Sequence, residues 1–109
     1  MIEDYAFGRI TVIGKVYTSD IIIAGSSIHS WWRKQGHVLN PEDLTSVLKA
    51  NPQTLVVGTG AYGLMKIPEK TEKFLKRHNI TLIAEKTGKA VGIFNNLTGE
   101  KAAALHLTC

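Results

Sequence analysis

Residues 55–67, LVVGTGAYGLMKI, decide how the rest of the chain is read. Leu55-Val56-Val57 is wholly apolar, as expected of a strand in a parallel sheet covered on both faces. Gly58, Gly60 and Gly63 follow in the spacing G-x-G-x-x-G, the dinucleotide fingerprint. In that fold the helix starts inside the motif, so that its amino end meets the pyrophosphate. Here Leu64-Met65-Lys66-Ile67 intervene, and Pro68 follows. A helix carried from Gly60 through Pro68 would lose a hydrogen bond and clash, costing about 3 kcal/mol. Glu85 stands roughly where a ribose-binding acid is expected, but only one helix and one strand remain beyond it. Nucleotide binding through this loop is therefore a minor alternative. The glycines otherwise permit positive φ and close packing at a crowded turn. Alternatively, the amides of Gly58-Thr59-Gly60, helped by Lys66, form a concave nest for an anion or carboxylate.

Outward from the loop, helices and strands alternate. Asn40-Pro41-Glu42-Asp43 starts a helix with Leu44, Val47 and Leu48 as its buried stripe, and Asn51-Pro52 ends it. Pro68-Glu69 opens a second helix running to about His78, with Phe74 and Leu75 inward. Thr81–Ala84 is a strand. Thr87 caps a third helix with Ala90, Val91, Phe94 and Leu97 on one face, Gly99 ends it, and Lys101–Leu107 is a closing strand. Toward the amino terminus, Arg9–Ile13 and Asp20–Ala24 are β-branched strands punctuated by glycines. Lys15–Tyr17 either extends the first of them or begins a hairpin. Residues 25–40 have no clear period and read as a loop with a short strand near 36–39. The alternation predicts an α/β fold in one domain over residues 1–109.

Composition excludes several classes. Apolar residues are 44% and charged residues 20%, values of an ordinary globular chain, and no apolar run reaches membrane-spanning length. Glu3 and Asp4 sit where a signal peptide would carry lysines, and Cys109 is the single cysteine, so a cytoplasmic location is expected. The net charge of +4 is modest and its cations are scattered. The one basic cluster, KTEKFLKR at 70–77, reads as a solvated helix face, which argues against nucleic-acid binding.

Several separated segments form a recognisable set. They are Phe7-Gly8-Arg9-Ile10, Gly14-Lys15-Val16-Tyr17, Trp31-Trp32-Arg33, Gly36-His37 and Val57-Gly58-Thr59-Gly60. Thr87, Ala90, Asn95 and His106-Leu107-Thr108-Cys109 complete it. Together these resemble the Mth-type domain family, whose relatives include the adipogenesis-associated Mth-domain protein and a mitochondrial complex I assembly factor. The resemblance covers almost the whole chain. It implies a three-layer α/β fold around a mixed β-sheet, with a small extra β element from the amino-terminal part. It implies no reaction, cofactor or catalytic residue. The family's recurring positions fall on Trp32, Arg33, His37, the Gly58–Gly60 loop, Asn95 and His106. The complex I role belongs to mitochondrial relatives with extensions and is not carried over.

Each candidate residue has a plain reading beside a functional one. Trp31-Trp32-Arg33, if extended, points one indole inward and one outward. Arg33 then either pairs with a nearby acid or stands at a pocket mouth, where its fork suits carboxylate or phosphate. His37 and His106 are ordinary structural histidines, or they converge with Arg33 beside the glycine loop as a cationic pocket. Cys109 with His106 lacks an obvious orienting acid for nucleophilic catalysis. For zinc, His29, His37, His106 and Cys109 supply four ligands, yet H-x-x-C in a strand puts its ends on opposite faces, so no metal is expected. Asn95 belongs to the face or the end of the third helix.

The reading that results is a binding or assembly module rather than an enzyme. A small anion-accepting pocket beside Gly58-Thr59-Gly60 is lined by Arg33, His37 and His106, and no cofactor is expected. Its ligand is a small anion or a partner's acidic group. The rivals are a hydrolase or transferase acting through Arg33, His37 or His106, and a homo-oligomeric scaffold.

Overall fold

In the computed structural model, which describes residues 1–109, the strand read from Leu55–Val57 is β6 in a five-stranded mixed sheet. Amino-terminal to it come β1 (Ile2–Ala6), β2 (Arg9–Val12), β3 (Lys15–Tyr17), β4 (Ile21–Ala24), β5 (Ser27–Ser30) and α1 (Thr45–Ala50). From β6 (Thr54–Thr59) the chain continues through α2 (Glu69–Arg77), β7 (Thr81–Glu85), α3 (Thr87–Asn96) and β8 (Lys101–His106). The sheet order is β5-β4-β8-β6-β7, with β6 parallel to both neighbours and β4 antiparallel to β5 and β8. β1, β2 and β3 form a separate antiparallel meander. The three-layer architecture and the extra amino-terminal β element are thus both present.

Strand periodicity sorts the core into two faces. Ile22, Ala24, Leu55, Val57, Ala102 and Ala104 meet Leu44, Val47 and Leu75 from α1, α2 and the turn before α1. Ile21, Ile23, Val56, Ala103 and Leu105 meet Ala90 and Phe94 of α3 together with Ile2, Ile10 and Val12 of the meander. β7 and β8 flank β6 on opposite sides, and successive crossovers of one hand then place α2 and α3 on opposite faces. Lys101 closes the end of α3 by donating its ammonium to the carbonyls of Phe94 and Leu97 at 2.6 and 2.9 Å. Asn95 ties the meander down, accepting the amide of Ile2 at 3.0 Å and donating to its carbonyl at 2.8 Å. No helix is long and apolar enough to cross a membrane.

Four local readings are corrected. Residues 25–40 contain β5, an edge strand whose polar Ser27-Ile28-His29-Ser30 lacks the apolar alternation that marks a strand. Residues 36–39 form no strand; Val38 makes only isolated bridges to Gln35 and Lys66. Pro41–Leu44 is a 3₁₀ turn leading into α1. Thr87 is the first residue of α3 rather than its cap, which is Lys86. Lys15–Tyr17 is a hairpin partner of β2, because Ile13 and Gly14, at φ 49° and 75°, form a two-residue turn of the handedness that hairpins favour.

Candidate functional site

Residues 61–68 contain no helix, and α2 begins only after Pro68. The loop is instead bound into the fold. Gly60 donates its amide to Thr87 Oγ1 at 2.9 Å, and the Thr87 hydroxyl donates to the His106 carbonyl at 2.6 Å. Ala61 donates to the carbonyl of Thr108 and Leu64 to that of Cys109. At Gly60, with φ 110°, a Cβ would strike the carbonyl of Thr108, so this position demands glycine twice over. Of the Gly58-Thr59-Gly60 amides that a nest would offer to an anion, that of Gly60 is engaged by Thr87, and Gly58 and Thr59 lie within β6 between β7 and β8. The three open clefts of the surface lie elsewhere, at the β4–β5 turn, beside Trp32 and along the α2–β7 edge.

The loop's role is to hold the end of β8, and there the polar side chains converge. Trp31 is buried and donates its indole N–H to the Asp43 carbonyl at 3.0 Å, whereas Trp32 is 80% exposed. That inward–outward split carries Arg33 back over the Trp31 ring, its guanidinium carbon 4.4 Å from the centroid. Arg33 Nη1 lies 2.8 Å from Asp20 Oδ2, an ion pair rather than an aligned hydrogen bond. Its Nε and Nη2 donate to the carbonyl of Gly36 at 3.1 and 2.8 Å. The Arg33 side chain is only 5% exposed. Of the two sequence readings for Arg33, pairing with an acid is the one found, and its positive charge is balanced by Asp20.

Asp20 is the residue that sequence reasoning missed. It precedes β4, and Ile21 pairs with Leu105 of β8, so the antiparallel register sets its carboxylate against the end of that strand. Oδ1 accepts the Leu107 amide at 2.7 Å, and Oδ2 lies 2.8 Å from His106 Nδ1. Burial pushes the Asp20 carboxyl up. The hydrogen bonds from Leu107 and His106, the Arg33 guanidinium in contact and the charge of His106 outweigh burial and hold it below the usual carboxylate value. The only sequence signal was a lone acid opening an otherwise apolar strand.

His106 Nδ1 faces contradictory neighbours, since Arg33 Nη2 is also 3.0 Å away and can only donate. A carboxylate can only accept, so the shorter Asp20 contact places the proton on Nδ1, and Arg33 Nη2 is satisfied by Gly36. In the neutral ring this leaves the lone pair on Nε2, which is buried and has no partner. The exposed His37 ring stands edge-on to His106 with centroids 5.9 Å apart. Ring nitrogens of His37 and His106 and Sγ of Cys109 all lie within 4.8 Å of one another. This corrects the strand argument against His106 and Cys109 acting together. β8 ends at His106, and Cys109, at φ 45°, curls back under the Leu64 amide. His29 is not in the group; it pairs with Ser46 at 3.0 Å.

Arg33, His37 and His106 are thus brought together, while Gly58, Thr59 and Gly60 support them from behind. Gly58 admits Thr87 so closely that a Cβ would lie 2.7 Å from its hydroxyl. Thr59 donates its hydroxyl to the Glu85 carbonyl at 3.1 Å. Phe7 and Tyr62, both exposed, lie 6.3 Å apart between ring centroids. With exposed Leu64 they flank the segment 107–109, to which Gly8 and Leu64 donate their amides.

The fold has solved counterparts. The conserved hypothetical protein PH1505 from Pyrococcus horikoshii is 28% identical and superposes with a TM-score of 0.91, covering 100% of this chain and 99% of that one. A protein described as an outer membrane protein from Bartonella henselae is 27% identical with a TM-score of 0.85, over 99% of this chain and 94% of that one. A Mth938-like domain from Bordetella pertussis, 20% identical, shares the fold with a TM-score of 0.76, over 97% of this chain and 84% of that one. A family model matches residues 2–106. On that match the chain belongs to the DUF498/DUF598 family, proteins of unknown function.

Proposed function

We propose that the protein is a binding module that receives an anionic group, a carboxylate or phosphate, where Arg33, His37 and His106 meet. The observation that carries this reading is the convergence itself. Arg33 and His37, from one short segment, share one place with His106 from the far end of the chain and with the Asp20 carboxylate. It lies at the carboxyl ends of parallel strands β6 and β8, where ligands of α/β sheets are usually held. Lys66 donates its backbone amide to the carbonyl of His37, and the Lys86 stem packs against Gly63. The glycine loop acts as a brace, and the anion is received by side chains rather than by an amide nest. Exposed Phe7, Tyr62 and Leu64 alongside favour an acidic group carried by a protein partner. A cytoplasmic location would keep the Cys109 thiol reduced.

A thermal-shift series with phosphate, a nucleotide and a dicarboxylate tests the reading, because any ligand of the folded state raises its stability. The parent is expected to be stabilised and His37→Ala is not. A nucleotide is expected to act no better than phosphate. An unmoved parent in every series sinks the anion reading.

One observation favours the hydrolase or transferase alternative: Asp20 orients His106 in the manner of a nucleophile's base, with Cys109 within reach. Its test is alkylation of Cys109, which should be faster in the parent than in His106→Gln at neutral pH. Equal rates would remove it.

A further inference from the structure

We propose that His37, His106 and Cys109 form a three-ligand site for a zinc-class divalent cation, with an open fourth position facing solvent. The donors are two imidazoles and a thiol, the soft set that zinc prefers over calcium or magnesium. His106 brings what an accidental cluster lacks. Its side chain is 7% exposed and Nε2 has no partner, so a buried lone pair is available with nothing in the protein to satisfy it. Asp20 holds the opposite nitrogen at 2.8 Å, the carboxylate–histidine arrangement that orients metal-binding imidazoles. Arg33 in turn fixes Asp20 at 2.8 Å.

The dimensions are compatible. Tetrahedral zinc with nitrogen and sulfur ligands needs donor atoms about 3.3–3.8 Å apart. The present spread, within 4.8 Å, closes by movement of two side chains that are not buried, those of His37 and Cys109. Their backbones are already anchored, since the His37 carbonyl accepts the Lys66 amide and the Cys109 carbonyl accepts that of Leu64. Binding displaces the thiol proton of Cys109 to water, and the thiolate takes its place on the metal. The charge of the divalent ion exceeds that of the one thiolate bound to it, and Asp20 and Arg33 cancel. An anionic donor is thereby drawn to the fourth position. That last step rests on the anion reading above; the metal site itself does not.

The test titrates the full chain, stripped with a chelator, with Zn²⁺ against a chromophoric competitor. One equivalent is expected, weakened at least tenfold by His37→Ala and by Cys109→Ser, neither of which removes a buried side chain. Asp20→Asn is expected to weaken it about 10–100-fold through loss of the orienting contact. Co²⁺ should give a near-ultraviolet thiolate charge-transfer band in the parent and none in Cys109→Ser. Failure to take up one equivalent, or uptake indifferent to both His37→Ala and Cys109→Ser, overturns the site. Phosphate thermal shifts are run with and without metal. A shift in metal-free protein that takes up no zinc leaves the anion reading standing alone. Zinc uptake with no anion shift in either form removes the anion reading and keeps the metal site.

Discussion

Asp20 Oδ2 lies 2.8 Å from His106 Nδ1, joining the residue before β4 to the last residue of β8 across 86 positions of sequence. The same carboxylate group accepts the Leu107 amide and neutralises Arg33, so one side chain fixes both the charge and the geometry of the candidate site.

Acid sensitivity follows from that contact. Burial opposes ionisation of Asp20, but its hydrogen bonds and the charge of His106 lower its carboxyl in the folded state. A depressed folded value means stability that is complete above the unfolded carboxyl value, about 3.9. That stability is lost as pH falls through the folded value. Urea unfolding from neutral pH down to about 3 should show stability falling below about pH 4. Asp20→Asn should flatten this segment, and an unchanged slope would contradict the assignment.

At neutral pH, Asp20→Asn leaves a buried guanidinium without its counter-charge and should cost about 3–5 kcal/mol. Asp20→Asn combined with Arg33→Met removes both charges and should cost less than Asp20→Asn alone. A double variant as unstable as the sum of its singles would show that the two groups act independently.

Thr87 is a test of the brace. Thr87→Val leaves the Gly60 amide and the His106 carbonyl without buried partners, at about 1–3 kcal/mol for each. Thr87→Ser keeps both bonds and should remain within about 1.5 kcal/mol of the parent by chemical denaturation.

Two glycines should respond with opposite sign. Gly60→Ala is strained in φ and strikes the carbonyl of Thr108, so it should destabilise the protein and disturb the segment that carries Cys109. Gly92→Ala lies in α3 with nothing near its added methyl and should stabilise by about 0.4–1 kcal/mol. Thermal midpoints of the two variants check the pair.

The tryptophans divide in the same way. Trp31→Ala should cost about 3–5 kcal/mol through the cavity it leaves. Trp32→Ala should leave stability nearly unchanged and remove the emission most accessible to an aqueous quencher. Stern–Volmer quenching of the single variants distinguishes them.

Much of the fold was legible because its signals are local. Pro68 placed the start of α2, the apolar run at 55–57 marked a strand covered on both faces, and Asn51-Pro52 closed α1. β4 and β6 were marked as buried strands by their continuous apolar runs, while the division of their residues between two core faces came only with the packed helices. β5 was illegible because an edge strand with Ser at both ends needs no apolar pattern of its own; pairing with β4 alone defines it. Thr87 was misread as a cap because its hydroxyl serves Gly60 and His106, partners that only the folded sheet brings near.

By itself, then, the sequence determined the α/β class, the bend after the glycine loop and the residues from which a site could be assembled. Those depend on backbone sterics and on hydrophobic periods of two and 3.6 residues, which any short window displays. The tertiary structure alone decided that Asp20 is the acid beside His106, that Arg33 is neutralised, and that Cys109 turns back toward His37. Each of those is a contact between separate segments, set by strand register and by the hydrogen bonds at the end of β8.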